Sequence, residues 1–502
     1  MANNSTDLGL EDLIKEIARL VGKSRVVAVL DYIWGDGGKG KVSDAIATYW
    51  GDDGSDVNAR GSGGNNAGHT TIINGLERIF HLIPAGIVHD KRGKFSVMGN
   101  GMVIDMDVLC QELDELDRGG LTYNNLMISE DAFVTLPFHI TLDKGTTASQ
   151  KSRGVGSTGR GIGPAYADKI GSRAGIQVRD LFDKDVVARR LKKLEEYHFP
   201  KDIQRDATIA YIEKFSDRIK PFVRDTVTEM HNFYKQGKRI LLEGAQGTLL
   251  SSECGTYPHQ TASDCSLNGT ATGVGFSAKV VDLPLGIVTF PIMHRVGGGA
   301  FPSELGEQAS EDYCAATDPD GKPTHAIKTE LREHGIPFEE IDGKIRYDFH
   351  HPEILKLMNS RDPMTQGIGL RFASKNYGAT TGRPRRMGWL DLKAIEYSIS
   401  VNDPIGCNLV LTKPNCIRGA EEFKLGVGYE GGGSFSRGET YLRNAKPVYQ
   451  TFEGSDVDIT GMTDVNDLPS GLREGMGVLE KVTGGKIRMI SAGADRSQNI
   501  VL

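Results

Sequence analysis

Short apolar runs recur along the chain, and most of them end abruptly in glycine or a polar turn. Runs at residues 26–30, 95–98, 240–242, 286–290, 408–411 and 487–490 are rich in Val, Ile and Leu and too short to be helices; they read as strands. Between them, apolar residues return at helical spacing, as at 184–193 and at 206–233, where Pro221 interrupts the pattern. Leu10, Leu13, Ile14, Ile17, Leu20 and Val21 mark an amphipathic helix ahead of the first strand. Strands alternating with helices predict an α/β fold with a large, mainly parallel central sheet flanked by helices.

Organisation follows from the same pattern. Residues 1–24 read as an N-terminal helical extension and 25–502 as one α/β domain. From about 305 to 377 the chain turns polar, with turn signals at Asp318-Pro319-Asp320-Gly321 and His351-Pro352 and a short helix expected over 327–334. This stretch is an inserted subdomain. Charged residues interrupt the N-terminal apolar positions and no run approaches membrane-spanning length, so neither a leader nor a membrane segment is expected.

Composition narrows the function classes. A net charge of -7 speaks against a nucleic-acid partner, so a phosphate-bearing ligand must meet a local cluster of donors. The 63 glycines point to tight turns and to backbone approaching ligands closely. Six cysteines with no C-x-x-C spacing give neither a zinc site nor a redox pair, and fit a reducing, cytoplasmic setting.

The first strand runs into Gly35-Asp36-Gly37-Gly38-Lys39-Gly40-Lys41, which fits the first seven positions of a phosphate-binding P-loop. Gly35, Gly38 and Gly40 let amides turn onto a phosphate, while Lys39 and Lys41 add charge. The eighth position, where a hydroxyl would ligate a metal, is Val42, so the ligand must come from elsewhere; Asp36 is the candidate. An acid inside a phosphate loop repels its ligand unless it carries a metal or a proton.

Downstream lie Gly63-Gly64-Asn65-Asn66-Ala67-Gly68-His69-Thr70, Ser157–Tyr166 (S-T-G-R-G-I-G-P-A-Y), Glu243–Thr248 (E-G-A-Q-G-T), Gly255–Pro258 leading to Thr261, Val296–Pro302, and Gly378–Arg385 (G-A-T-T-G-R-P-R) followed by Gly388-Trp389-Leu390-Asp391. In this order the blocks resemble the adenylosuccinate synthetase family from Val26 to the C-terminus, apart from the segment before Tyr377. The resemblance implies a P-loop-like nucleotide-binding fold with inserted subdomains. It also implies a ligase that joins L-aspartate to C6 of IMP through a 6-phosphoryl intermediate, using GTP and Mg2+ in AMP biosynthesis.

Carried over residue by residue, the resemblance makes Asp36 the base and a metal ligand, with the Gly68 carbonyl as a second ligand and His69 as the acid. IMP contacts fall on Asn66, Ala67, Thr158, Arg173, Gln246, Thr261 and Arg383. Arg173 would reach the neighbouring subunit's site, implying a homodimer. The triphosphate falls to Gly35, Gly38, Lys39, Gly40, Lys41, Arg385, Lys413, Asn415, Ser491 and Gly493. Aspartate falls to Ala379, Thr380, Thr381, Arg383 and Arg385, where guanidinium forks suit carboxylates.

Departures from the family pattern are Gly37 for an acid, Asn65 for a histidine, Ala262 and Asp264 after Thr261, and Asn415 in place of the aspartate that reads guanine. An amide offers one acceptor where a carboxylate takes both guanine N–H donors, so ATP stands beside GTP as the donor. Two other readings remain: a relative aminating GMP or dGMP, although that branch departs at the position of Asp36, and a nucleotide-binding regulator without turnover. A switch GTPase fits Val42 and Asn415 poorly.

Overall fold

The computed structural model describes every residue except 1–3, 51–53, 74–75, 90–93, 152–156, 199–202, 342 and 379–381. Among the described residues, a ten-stranded sheet runs in the order Asn499–Val501, Lys486–Ser491, Asn408–Thr412, Leu283–Thr289, Val26–Asp31, Ile240–Glu243, Val57–Arg60, Phe95–Met98, Leu126–Ser129 and Val223–Arg224. All neighbours are parallel except the terminal pair, where Asn499–Val501 runs antiparallel. Each of the six expected runs lies in this sheet.

Parallel strands need cover on both faces, and the first strand shows how its residues supply it. Val26, Ala28 and Leu30 enter one core together with Ile240, Leu242 and Leu411, while Val27 and Val29 enter another with Val42, Ile46 and Leu241. The helix Asn4–Val21 closes the second side, with Leu13 and Ile17 packed on Ala45 and Tyr49. The helical stretch at 206–233, expected to be interrupted at Pro221, forms two helices, Arg205–Ile219 and Thr226–Lys235. Around Pro221 the chain makes one 3-10 turn and then the short edge strand Val223–Arg224.

A second, four-stranded sheet was not expected. Its order is Ile292–Arg295, Arg386–Asp391, Glu422–Tyr429 and Pro447–Glu453. Ile292–Arg295 follows almost directly from the main-sheet strand Leu283–Thr289, so the second sheet grows from the carboxyl edge of the first. Residues 305–377 form the helices Glu307–Ala315, Ile327–Glu333, Pro352–Met358 and Pro363–Ser374 and the hairpin Phe338–Ile341/Lys344–Tyr347. They have a core of their own from Leu331, Ile336, Ile345, Ile354, Leu357, Ile368 and Phe372. No helix among the described residues is long and apolar enough to cross a membrane.

Candidate active site

Parallel pairing sets where the motifs meet. Glu243 stands opposite Val29 on one side and Arg60 on the other, so three strands end at one level and release their loops on one edge. Those loops are 32–38, 61–68 and 244–247, and the turns after Thr412 and Ser491 emerge on the same edge. In open α/β sheets ligands gather at such an edge.

The loop after Val26–Asp31 is built around Asp31, whose role sequence reading missed. Its carboxylate accepts from Ile33 N at 3.0 Å, Gly37 N at 2.8 Å and Lys39 Nζ at 3.1 Å. A Cβ at Gly37 would stand 2.7 Å from Asp31 Oδ2, so Gly37 is required by the acid six residues earlier. Gly35, Asp36 and Gly38 all take positive φ, at 84°, 58° and 99°. The helix Lys39–Tyr49 then begins at Gly38 with no side-chain cap and no acid in its first turn. Its first amides are open to an anion.

Lys39 also donates to the Gln246 carbonyl, which ties the phosphate loop to the turn after Ile240–Glu243. Lys41 reaches elsewhere: its ammonium donates to Ser491 Oγ at 2.6 Å, Gln498 O at 3.1 Å and the Gly493 carbonyl. Burial pushes Lys41 down to about 7. From the second sheet, His294 Nε2 holds the Gly35 carbonyl at 2.8 Å, and burial pushes that imidazole down to about 3, so it donates as a neutral ring.

Asp36 faces outward from the loop, with 41% of its side chain exposed, and Oδ2 accepts from Arg385 Nε at 2.9 Å. Partial burial works to raise its pKa, but Arg385 and then the other cations around it, Lys39 and Lys413 included, hold it below the usual carboxylate value. Lys413 donates to Ser374 O at 3.3 Å and to Asn376 Oδ1.

His69 starts the strand His69–Ile73 and is only 4% exposed. Its Nδ1 meets Glu243 Oε1, and the other Glu243 oxygen accepts from Ala85 N at 2.9 Å. Burial, and then the charges of Arg60 and Lys39, push this imidazole well below its usual pKa; contact with the Glu243 carboxylate works the other way. A neutral ring that gives its Nδ1 proton to a carboxylate presents Nε2 as an acceptor.

Around these groups lie buried polar atoms with no hydrogen-bond partner in the protein: both side-chain atoms of Gln246, Arg60 Nε and Nη2, Ser62 Oγ and Asn65 Oδ1. Buried polar atoms are nearly always paired, so the unpaired atoms of Gln246, whose carbonyl holds Lys39, and of Arg60, whose charge acts on His69, mark groups suited to a ligand. Gln246, at φ 44°, lies against the glycine loop, where a Gly63 Cβ would come 3.1 Å from its Oε1. Asn66 Nδ2 stands 3.5 Å from Thr261 Oγ1, and the Ala67 carbonyl accepts from His81 Nδ1 at 2.6 Å. Gly68 is exposed.

Other expected residues stand differently. Thr158 is exposed, on a turn fixed by Asp143, which accepts from Ser157 Oγ and from Gly161 N at 2.9 Å. Arg173 is exposed at φ 54° and bonds, through its carbonyl, to Arg190 at 3.4 Å rather than to any loop of the sheet edge. Arg383 is half-buried beside Arg385, whose charge lowers its pKa after burial does. The Asn415 amide is engaged at both ends, donating to Asp458 Oδ1 at 3.3 Å and accepting from Ile459 N at 3.2 Å. Ala379, Thr380 and Thr381 lie outside the described residues. Besides Asp31, sequence reading gave no role to Arg60 or Glu243; the signal was a charged residue closing a strand that leads into a glycine-rich turn.

An uncapped helix start behind a glycine loop, an outward carboxylate and a carboxylate-held histidine define an α/β enzyme acting on a phosphorylated ligand. The family model for adenylosuccinate synthetase matches residues 28–500, and this chain belongs to that family. Adenylosuccinate synthetase of Paraburkholderia phytofirmans is 35% identical over 497 residues, covering 96% of this chain and 97% of that protein. The Burkholderia mallei protein of the same name is 36% identical over 495 residues, with 96% and 97% covered.

Among solved structures, fully ligated adenylosuccinate synthetase from Plasmodium falciparum superposes with a TM-score of 0.76 at 27% identity, covering 95% of this chain and 100% of that one. The succinoaminodeoxyadenylate synthetase of cyanophage S-2L, bound to dGMP and to dATP as energy donor, shares the fold, with a TM-score of 0.51, 18% identity and 95% of each chain covered. The chain is therefore a ligase of purine nucleotide biosynthesis that joins aspartate to IMP, from a family that needs a divalent metal.

Proposed function

We propose that the reaction runs in two steps at the edge formed by loops 32–38, 61–69 and 244–247. In the first, Asp36 takes the N1 proton of IMP as O6 attacks the γ-phosphorus and the nucleoside diphosphate leaves. In the second, the aspartate amine attacks C6, the C6–O bond breaks, and phosphate departs, taking up the proton that the amine sheds. His69 holds the charge that builds on O6 and the transferring group. To donate from Nε2 it must be doubly protonated, and Glu243 and the incoming phosphates favour that form.

One observation carries this reading. Lys39 bridges Asp31 and the Gln246 carbonyl, so the loop bearing Asp36 is tied to the turn after the strand that ends in Glu243, the residue that meets His69, and the unpaired side-chain atoms of Gln246 lie at that junction. Gln246, Asn66, Ala67, Thr261 and Arg383 serve IMP in this reading, Arg383 and Arg385 the aspartate carboxylates, and Gly35–Lys41 the triphosphate, with Lys413 and the turn at Ser491 and Gly493. Thr158 also serves IMP, and the exposed Arg173 reaches the IMP of the neighbouring subunit in a homodimer.

The donor set fits Mg2+, which asks for one or two carboxylates and takes the rest of its shell from phosphate and water. Asp36, still 41% exposed while paired with Arg385, and the Gly68 carbonyl would hold it. When bound, it neutralises charge on the transferring phosphates. The enzyme works in the cytoplasm in this reading. The donor is GTP or ATP with little selectivity, because the Asn415 amide is already engaged by Asp458 and Ile459.

A phosphate-release assay crossing IMP and GMP with GTP and ATP, with and without aspartate, tests all of this. Release requires IMP and aspartate, and the two donors differ by less than about tenfold, below the roughly 1–3 kcal/mol of a complete bidentate base contact. Turnover of GMP in place of IMP, or release independent of aspartate, overturns the reading.

A further inference from the structure

The segment 305–377 sits against the loop that carries Arg383 and Arg385, and it holds that loop at both ends. At one end the Ile327 amide donates to the Gly382 carbonyl at 3.1 Å, and a Cβ on Gly382 would touch Ile327 Cγ2 at 3.5 Å. At the other end Arg371, 1% exposed, donates through Nε to the Arg385 carbonyl at 2.8 Å. The opposite side of that guanidinium is fixed: Nη1 is paired with Glu330 Oε1, and Nη2 lies 3.5 Å from Cys314 Sγ. The second Glu330 oxygen accepts from Tyr377 OH at 2.6 Å. The Arg385 amide is bound too, donating to Asn376 O at 2.9 Å, and Tyr377 bridges Pro384 across the base of the loop.

Arg385 therefore has both backbone groups held while its side chain lies on Asp36. Glu330 and Ile327 share one short helix of the inserted segment, so a single element sets both ends of the loop.

We propose that Glu330 is a positioning residue for Arg385: through Arg371 it fixes the Arg385 backbone and so aims that guanidinium into the active site. The inserted segment is then the mount of the carboxylate-binding loop. Glu330 touches no substrate. Arg371 serves as a rigid fork, using one edge for the acid and its Nε for the carbonyl, which a lysine cannot do at once. The inference rests on the proposed role of Arg385 toward aspartate, and one arm of its test does not depend on that role.

The variants are Glu330→Gln, which keeps shape and loses charge, Arg371→Lys, which keeps charge and loses the fork, and Tyr377→Phe as a milder change less exposed to misfolding. Steady-state kinetics for IMP and aspartate are measured beside hydrogen exchange of peptides covering 376–386 and thermal stability. In Glu330→Gln and Arg371→Lys the expected result is a KM for aspartate raised by about tenfold or more, a KM for IMP within about twofold, and faster exchange across 376–386, because a buried charge loses its partner. Tyr377→Phe shifts the same quantities in the same direction and less.

Unchanged kinetics and exchange in Glu330→Gln overturn the proposal. So does an equal loss toward both substrates, or a lowered stability, with exchange at 376–386 unaltered. Faster exchange there without any selective effect on aspartate leaves the mounting in place and refutes the role assigned to Arg385.

Discussion

Replacing Glu243 by glutamine isolates the partnership on which His69 depends. Ala85 N donates to one Glu243 oxygen at 2.9 Å, so the amide must keep its carbonyl oxygen there and turn its NH2 toward His69 Nδ1. The ring then has to carry its proton on Nε2, and the imidazolium loses its buried counter-charge. A hydrogen bond to a charged group is worth about 1.5–3 kcal/mol, and removing the anion beside a charge that forms only in the transition state adds to it. A total of about 2–4 kcal/mol corresponds to roughly 30- to 1,000-fold in kcat.

Because Glu243 lies behind His69 rather than on the substrate, KM for IMP stays within about threefold. Initial rates of adenylosuccinate formation at saturating IMP, aspartate and triphosphate measure the first quantity, and an IMP titration the second. Activity within about threefold of the parent, in a variant with unchanged melting temperature, would refute the assignment of His69 as a carboxylate-supported group.

Three further outcomes follow from the geometry. Gly37→Ala brings a methyl to 2.7 Å from Asp31 Oδ2; it should cost about 1–3 kcal/mol of stability in a thermal melt and raise KM for the triphosphate more than KM for IMP. Lys41, pushed down to about 7, regains its proton when phosphate charge arrives, so isothermal titration in buffers of different ionisation enthalpy should find proton uptake on triphosphate binding and affinity falling as pH rises above 7. The buried Asp391 carboxyl, which caps the helix Leu392–Asn402 and accepts from Tyr429 OH at 2.6 Å, is raised by burial from 3.8 to about 6. A raised folded-state value favours folding below pH 3.8 and loses that contribution as pH climbs to about 6, so the stability of the parent relative to Asp391→Asn should fall by about 3 kcal/mol across that window.

The central strands were legible because burial on both faces makes them continuous apolar runs, as Val26–Asp31 and Asn408–Thr412 are. The second sheet was not: Pro447–Glu453 is an exposed edge, and Arg386–Asp391 mixes arginine, glycine and aspartate inside a motif that invites a functional reading. Much of the inserted segment reads as polar because its core draws single residues, Leu331, Ile336 and Ile345, from elements and turns too short to show a period. Within the site, phosphate-loop glycines announce themselves through backbone geometry, whereas the dependence of Gly37 on Asp31 is a contact across a turn that only the folded chain displays.

The hold of Asp31 on Lys39 has a consequence for selectivity among anions. With its ammonium paired to Asp31 and braced by a carbonyl, Lys39 offers a small anion less attraction than a free cation would. A lone orthophosphate must break that pair for a few amide contacts, whereas a triphosphate recovers the loss over many donors. Abundant small anions are thus poor competitors, and the loop responds to the length of the phosphate chain rather than to negative charge alone.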